Sequence, residues 1–336
     1  MTPEAARTAD RSDGAGDGDA RGGDNDGAPA PAPTGPGRVT VRGLTLGLGG
    51  GRRGGPASVE VVRDLDLDVA PGELVCLLGP SGCGKSSLLS ALAGFLQASR
   101  GTIEVDGRRV TGPEPELGMV FQQTSLLPWR SIEENVAFGL KMRGAPARER
   151  RAAARDFLAL VGLRGFERHY PAQLSGGMQQ RAEIARALIN QPRVIFMDEP
   201  FAALDAQTRF MMQELLLGVW ERVGTTVVFV THDIDEALFL GDRIFVMTSR
   251  PGRIREAIAV PFARPRSLEL TTAAPFVALK RHCLDLVREE TLRSIAAAAP
   301  AAAERVVSPG GRQAPPEAEP PSPPASRRGW TASPSA

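Results

Sequence analysis

The sequence predicts an α/β fold: a parallel sheet flanked by helices, preceded by antiparallel hairpins and interrupted by an inserted helical segment. Three observations lead there. Short apolar runs at 73–78, 193–197, Thr226–Val230 and Arg243–Met247 recur between helical stretches, the alternation that builds parallel sheets. Two earlier segments, 38–46 and 60–69, alternate apolar with polar residues, as half-buried strands do. From about 130 to 172 the chain is rich in Ala and Arg and mostly helical, with Gly144 and Pro146 as a break.

In chain order, residues 1–37 are Gly, Ala, Asp and Pro with hardly a large apolar side chain, so they are expected to form a disordered tail. The strands at 38–46 and 60–69 are joined by the flexible loop GLGGGRRGGPAS. The buried strand at 73–78 runs into GPSGCGKSS and an apolar helix at 87–95. A strand at 102–105 followed by Asp106-Gly107 predicts a further hairpin. The remaining strands follow the helical segment, and the folded part ends near 295, where Ala- and Pro-rich sequence begins.

Composition narrows the partners. Of 336 residues, 40 are Lys or Arg and 39 Asp or Glu, a net charge of +1 that argues against nucleic acid as a partner. Cys76, Cys83 and Cys283 have neither metal-ligand nor disulfide-framework spacing, which suits a reducing compartment. The start MTPEAARTAD lacks the pattern of a signal peptide, and no run of about 18 apolar residues predicts a membrane span. The chain is expected to be soluble and cytoplasmic unless a partner holds it at a membrane.

Gly79-Pro80-Ser81-Gly82-Cys83-Gly84-Lys85-Ser86, with Ser87 following, matches GxxxxGK[ST] between a strand and a helix. Its glycines let successive backbone amides curl round a phosphate, and the helix N-terminus adds partial positive charge. Lys85 would reach the β and γ phosphates, and the Ser86 hydroxyl would hold Mg²⁺. Nothing supplies Cys83 with a base, so it reads as a small loop residue. The strand ending in Asp198-Glu199 would deliver one carboxylate to Mg²⁺ through water and the other, as general base, to the attacking water.

Leu174-Ser175-Gly176-Gly177-Met178-Gln179-Gln180-Arg181 resembles the LSGGQ signature of ATP-binding cassette proteins, with Met178 where Gln is often found. Gln122 resembles that family's glutamine loop, Ala203-Leu204-Asp205 its dimer-contacting loop, and Thr231-His232-Asp233 its switch histidine. The resemblance spans about 38–255. It implies a P-loop NTPase (RecA-like) core with a small antiparallel β subdomain and an inserted α-helical subdomain. The nucleotide-binding domain is expected at 38–260 with the insert at about 123–180, a C-terminal helical extension at 261–295 and a second disordered tail at 296–336. By the same resemblance Glu199, His232 and Gln122 are catalytic, and Ser86, Gln122 and Asp198 hold Mg²⁺. The resemblance further implies that ATP is bound by residues 79–87 of one copy and by Ser175, Gly176, Gly177 and Asp205 of another, in a homodimer that sandwiches the nucleotide.

Leu126-Leu127-Pro128-Trp129 and the later stretches 249–254 and 260–266 are similar to the nitrate, sulfonate and taurine branch of importer ATPases. That likeness implies permease partners, an extracytoplasmic solute-binding protein acting through them, and a peripheral place on the cytoplasmic face of the membrane. Trp129 reads either as a core aromatic of the insert or, preferably, as an exposed docking residue. A soluble cassette ATPase acting on nucleic acid or ribosomes is the rival reading. Such proteins usually carry two cassettes, a coiled coil or a basic extension, and this chain has none of them. A phosphate-loop kinase would leave the signature and His232 unexplained. One departure stands out: no aromatic ring ends the first strand to stack on adenine, and Leu48 takes the aligned position.

Overall fold

A computed structural model of the chain describes residues 36–49 and 59–306, with side chains to 296. All but the last two residues of the expected N-terminal tail, residues 50–58 of the expected loop, and everything past 306 lie outside the described residues. Gly37, placed in the tail by sequence, is tied down, because its amide donates to the Asp106 carboxylate at 2.8 Å.

The alternating segments β1 (Val39–Leu48) and β2 (Val59–Val69) pair antiparallel. With β4 (Arg100–Val105) and the short β5 (Arg108–Arg109) they form a four-stranded sheet in the order β2-β1-β4-β5. The apolar runs form a second sheet from β3 (Leu74–Leu78), β6 (Leu117–Val120), β7 (Val194–Asp198), β8 (Thr226–Val230), β9 (Arg243–Met247) and β10 (Ile254–Ala259). Its order is β10-β9-β3-β8-β7-β6, and every neighbouring pair is parallel except β9 with β10.

Both faces of this sheet are covered, which is why β3, β7, β8 and β9 are mainly apolar, whereas the edge strand β10 carries Arg255 and Glu256. Leu74, Cys76 and Leu78 face one core, while Val75 and Leu77 face the other; β7, β8 and β9 alternate likewise. The antiparallel sheet and α1 (Lys85–Leu92) close one side. The insert follows as α2 (Ile132–Val136), α3 (Phe138–Met142) and α4 (Ala147–Leu160). Then α5 (Gly176–Leu188), α6 (Ala206–Val223), α7 (Ile234–Leu240) and α8 (Ala274–Val306) close the other side of the sheet.

Two expected boundaries move. The insert was placed at 123–180, but α5 starts inside that span and runs on to Leu188. Its Ala182 and Ala185 pack in the insert's own core with Ile132, Val136 and Leu158, while its Ile184 and Leu188 pack on the sheet, so one helix serves both bodies. The second tail was expected from 296, yet α8 continues to Val306. Low complexity suggests disorder there, but alanine is also the strongest helix former, and the helix continues past Pro300, the one strong breaker in the stretch. The 261–295 extension joins the main core, since Phe276 and Cys283 of α8 are fully buried against it.

The segment after Gln122 is built round Asn135, which is fully buried. Its side-chain oxygen accepts from the Leu127 amide at 2.7 Å and its nitrogen donates to the carbonyls of Leu127 and Arg130, both at 3.1 Å. That fixes the turn with Trp129 outside it, 71% exposed. The core-aromatic reading of Trp129 is thereby excluded.

Candidate functional site

Three adjacent strands end at one place. β3 delivers Gly79 and its loop, β8 delivers Thr231 to Asp233, and β7 delivers Asp198 and Glu199. Parallel pairing keeps these ends level: Leu77 faces Val230, and Asp198 faces Val230 from the other side. Ligands of open α/β sheets bind at such carboxyl ends.

The loop turns into α1 at Gly84, which has φ +104°. A Cβ there would be strained by that backbone and would stand 2.9 Å from the Val61 carbonyl, so only glycine fits. Lys85 is buried and folds back over the loop, donating to the carbonyls of Gly79 at 2.8 Å and Pro80 at 3.0 Å. Cys83 is buried too, and burial pushes its thiol above the ordinary value, which suits a packing residue better than a reactive one.

Opposite the loop, the Ser86 hydroxyl donates to Asp198 Oδ1 at 3.0 Å. Burial raises the Asp198 carboxyl above its ordinary value; the Ser86 hydrogen bond counters this, the Glu199 charge adds to it, and Lys85 counters it. Glu199 has φ +45°, an unusual backbone for a non-glycine residue, and its amide donates to the Val230 carbonyl at 3.0 Å. Thus the ladder to β8 fixes the strained residue, a combination found at functional sites. Glu199 Oε2 lies 3.1 Å from His232 Nδ1.

Lys85, Ser86, Gln122 and Glu199 line one cavity of about 280 Å³, with Ser81, Gly82, Gly84 and Ser87 from the loop. Leu48, 44% exposed, lies on its wall together with Val61. His232 joins the site through Glu199. Gly79, Pro80 and Cys83 shape the loop from behind.

The signature and Asp205 are elsewhere. Ser175 caps α5, its hydroxyl accepting from the Met178 amide at 3.4 Å; Asp205 caps α6, accepting from the Thr208 amide at 3.0 Å. Hydrogen bonds from the Thr208 amide and hydroxyl hold the Asp205 carboxyl below its ordinary value. The two helix starts meet, since a Cβ on Gly177 would lie 3.0 Å from the Thr208 methyl. Ser175, Gly176 and Asp205 are exposed, and none of them lines the cavity of their own chain.

Several supporting residues escape a sequence reading. Arg209 of α6 donates to Asp233 at 3.0 Å and to the Leu204 carbonyl at 3.0 Å, tying the Asp205 loop to the His232 loop. Arg186 donates to the Ser125 carbonyl at 2.7 Å, and the Ser125 hydroxyl donates to Glu183 at 2.7 Å, tying the segment after Gln122 to α5. In sequence Glu183 and Arg186 look like a solvated helical pair; only the buried state of Glu183 reveals the link. Arg250 also borders the cavity; the stretch 249–254 stands out in sequence only for its likeness to the importer branch, which does not place it here.

A phosphate loop, a carboxylate pair and a histidine at level strand ends, with a helical insert and a separate signature, define a nucleotide-hydrolysing cassette. The family described as ABC transporter matches residues 62–202. An uncharacterized ABC transporter ATP-binding protein of Methanocaldococcus jannaschii is 46% identical over 237 residues, 70% of this chain and 88% of the relative. A taurine import ATP-binding protein of Roseobacter denitrificans is 49% identical over 205 residues, 61% of this chain and 76% of the relative. A nitrate import ATP-binding protein of Synechocystis is 47% identical over 210 residues, 62% and 78% respectively. The solved dimeric structure of an ATP-binding cassette in a post-hydrolysis state, bound to ADP and Pi, matches with TM-score 0.58 and 33% identity over 67% of this chain and 100% of that one. This chain belongs to the ABC transporter family, as an ATP-binding subunit with ATPase activity. Among the described residues no helix is long and apolar enough to cross a membrane.

Proposed function

We propose that two copies of this chain form the ATP-driven motor of a membrane importer, hydrolysing ATP between them and passing the movement to permease subunits. The carrying observation is the separation of signature from cavity: Ser175, Gly176 and Asp205 face solvent while the phosphate loop lies elsewhere on the same chain. A second copy can bring its signature to the first copy's nucleotide, an arrangement also supported by the dimeric solved relative.

In this reading the loop amides and Lys85 bind the phosphates, so Lys85 exchanges its carbonyl partners for phosphate oxygens. Ser86, Asp198 and Gln122 offer oxygen donors, the set a hard cation such as Mg²⁺ takes, and Mg²⁺ there would offset phosphate charge. Glu199, held by its backbone and by His232, receives a proton from the attacking water. His232 orients Glu199 and hydrogen-bonds the γ-phosphate. The insert carries the exposed Trp129 to a permease helix on the cytoplasmic face of the membrane. Likeness to taurine and nitrate import proteins supports a small anion as the solute, loaded by an extracytoplasmic binding protein.

The test is Glu199→Gln, which keeps shape and removes the base. ATP should convert this variant to a stable dimer by light scattering, and turnover should fall at least about 10²-fold. Undiminished hydrolysis, or a variant that stays monomeric with saturating ATP, overturns the reading. Co-purification of a permease from solubilised membranes tests the transport half.

A further inference from the structure

We propose that Arg250 is a nucleotide-binding residue, whose guanidinium gives the base the planar face that no aromatic ring at the end of β1 supplies. The inference rests on the nucleotide-site reading above and adds the group that meets the nucleoside.

Arg250 is held against the phosphate loop. Its Nε and Nη2 both donate to the Gly82 carbonyl, at 3.1 and 3.0 Å, across 168 positions of sequence. It therefore engages a carbonyl of the loop and not the amides that would meet phosphate. Arg250 lines the same cavity as the aliphatic Leu48 and Val61 and the polar Lys85, Ser86 and Glu199, and its turn is bonded to Val61 through the Gly252 amide at 2.8 Å. A triphosphate with its γ-group at Lys85 and Glu199 leaves Leu48, Val61 and Arg250 of the same lining to receive its nucleoside. An arginine plane stacks on bases of any identity, and the adjoining Leu48 gives a second apolar wall.

The turn carrying Arg250 is fixed from three sides. The Gly252 amide donates to the Val61 carbonyl at 2.8 Å and the Arg63 amide to the Gly252 carbonyl at 3.0 Å, which stitches the turn to β2. The Ser249 amide donates at 3.0 Å to Glu290, a buried carboxylate of α8 that also takes Arg255 at 2.9 Å. A Cβ on Gly252 would stand 2.3 Å from the Cys83 carbonyl, so the turn lies directly on the phosphate loop. Arg250 is thus an exposed side chain with a preset position, and little ordering cost remains when a base arrives.

The experiment is calorimetric titration of ATP, GTP and inorganic tripolyphosphate, each with Mg²⁺, into the full chain and into Arg250→Ala and Arg250→Lys. Arg250→Ala should weaken ATP and GTP alike by about fivefold, which is about 1 kcal/mol, the scale of an exposed cation–π contact. Tripolyphosphate affinity and the melting temperature should not change. Arg250→Lys keeps charge without the plane and should behave as Arg250→Ala does. Unchanged ATP affinity, equal losses for tripolyphosphate, or full rescue by lysine each overturns the proposal. Tripolyphosphate binding that survives Lys85→Ala is a different failure: it removes the nucleotide site itself, and this proposal with it.

Discussion

Leu48 takes the position where the resemblance leads one to expect an aromatic ring, and its place on the cavity wall makes that difference consequential. An aliphatic side chain reads no base edge, and phosphate contacts do not distinguish bases either. GTP and CTP should therefore bind within about tenfold of ATP, a margin of 1.4 kcal/mol. Leu48→Tyr should tighten ATP by about two- to twelvefold, from the 0.5–1.5 kcal/mol of a ring–ring pair. A nucleotide titration on both proteins checks this, and a native preference of several hundredfold for ATP would refute it. Residues such as Lys85, Ser86, Asp198 and Glu199 were legible because their chemistry is written in consecutive positions. Arg250 stands in the stretch 249–254 that resembles the importer branch, but its place at the site was not legible, because its partner Gly82 is 168 positions away.

Elements add what single residues do not. The turn fixed by Asn135 sets Trp129 outward, so Trp129→Ala should leave melting temperature and isolated ATPase activity nearly unchanged, as surface changes do. Transport in vesicles reconstituted with permease should fall, which separates docking from catalysis. α7 makes a pH-dependent contribution through Glu236. Burial raises this carboxyl above its ordinary 4.5, against hydrogen bonds from Thr231 and Gln213. The unfolded chain ionises first as pH rises, so stability present below 4.5 is lost as pH climbs through the folded value. Glu236→Gln does not ionise; it should melt higher than the parent at about pH 7.5 and level with it near about pH 4 in paired thermal scans. The strands of the central sheet were legible from their apolar runs. The end of α8 was not, because an alanine-rich stretch has the composition of a linker and the propensity of a helix.

At the scale of the whole molecule, the proposed dimer has each chain hold half of two sites. Mixing Lys85→Ala chains, which keep a sound signature, with Ser175→Arg chains, which keep a sound phosphate loop, should restore hydrolysis that neither variant shows alone. A mixture as inactive as its components would refute shared sites. The strand order was the least legible feature, because β3 pairs with β8 and β9, far downstream, and no local pattern records such a partner. That pairing also bears on synthesis. On a ribosome adding about 5–20 residues per second, β3 is made roughly 7–30 s before β8. Through that interval Leu74, Val75, Cys76, Leu77 and Leu78, all buried in the finished sheet, have no strand on either side. The nascent half-sheet is then a sticky edge, and holding it apart from its neighbours on the same messenger is a task for chaperones before any nucleotide can bind.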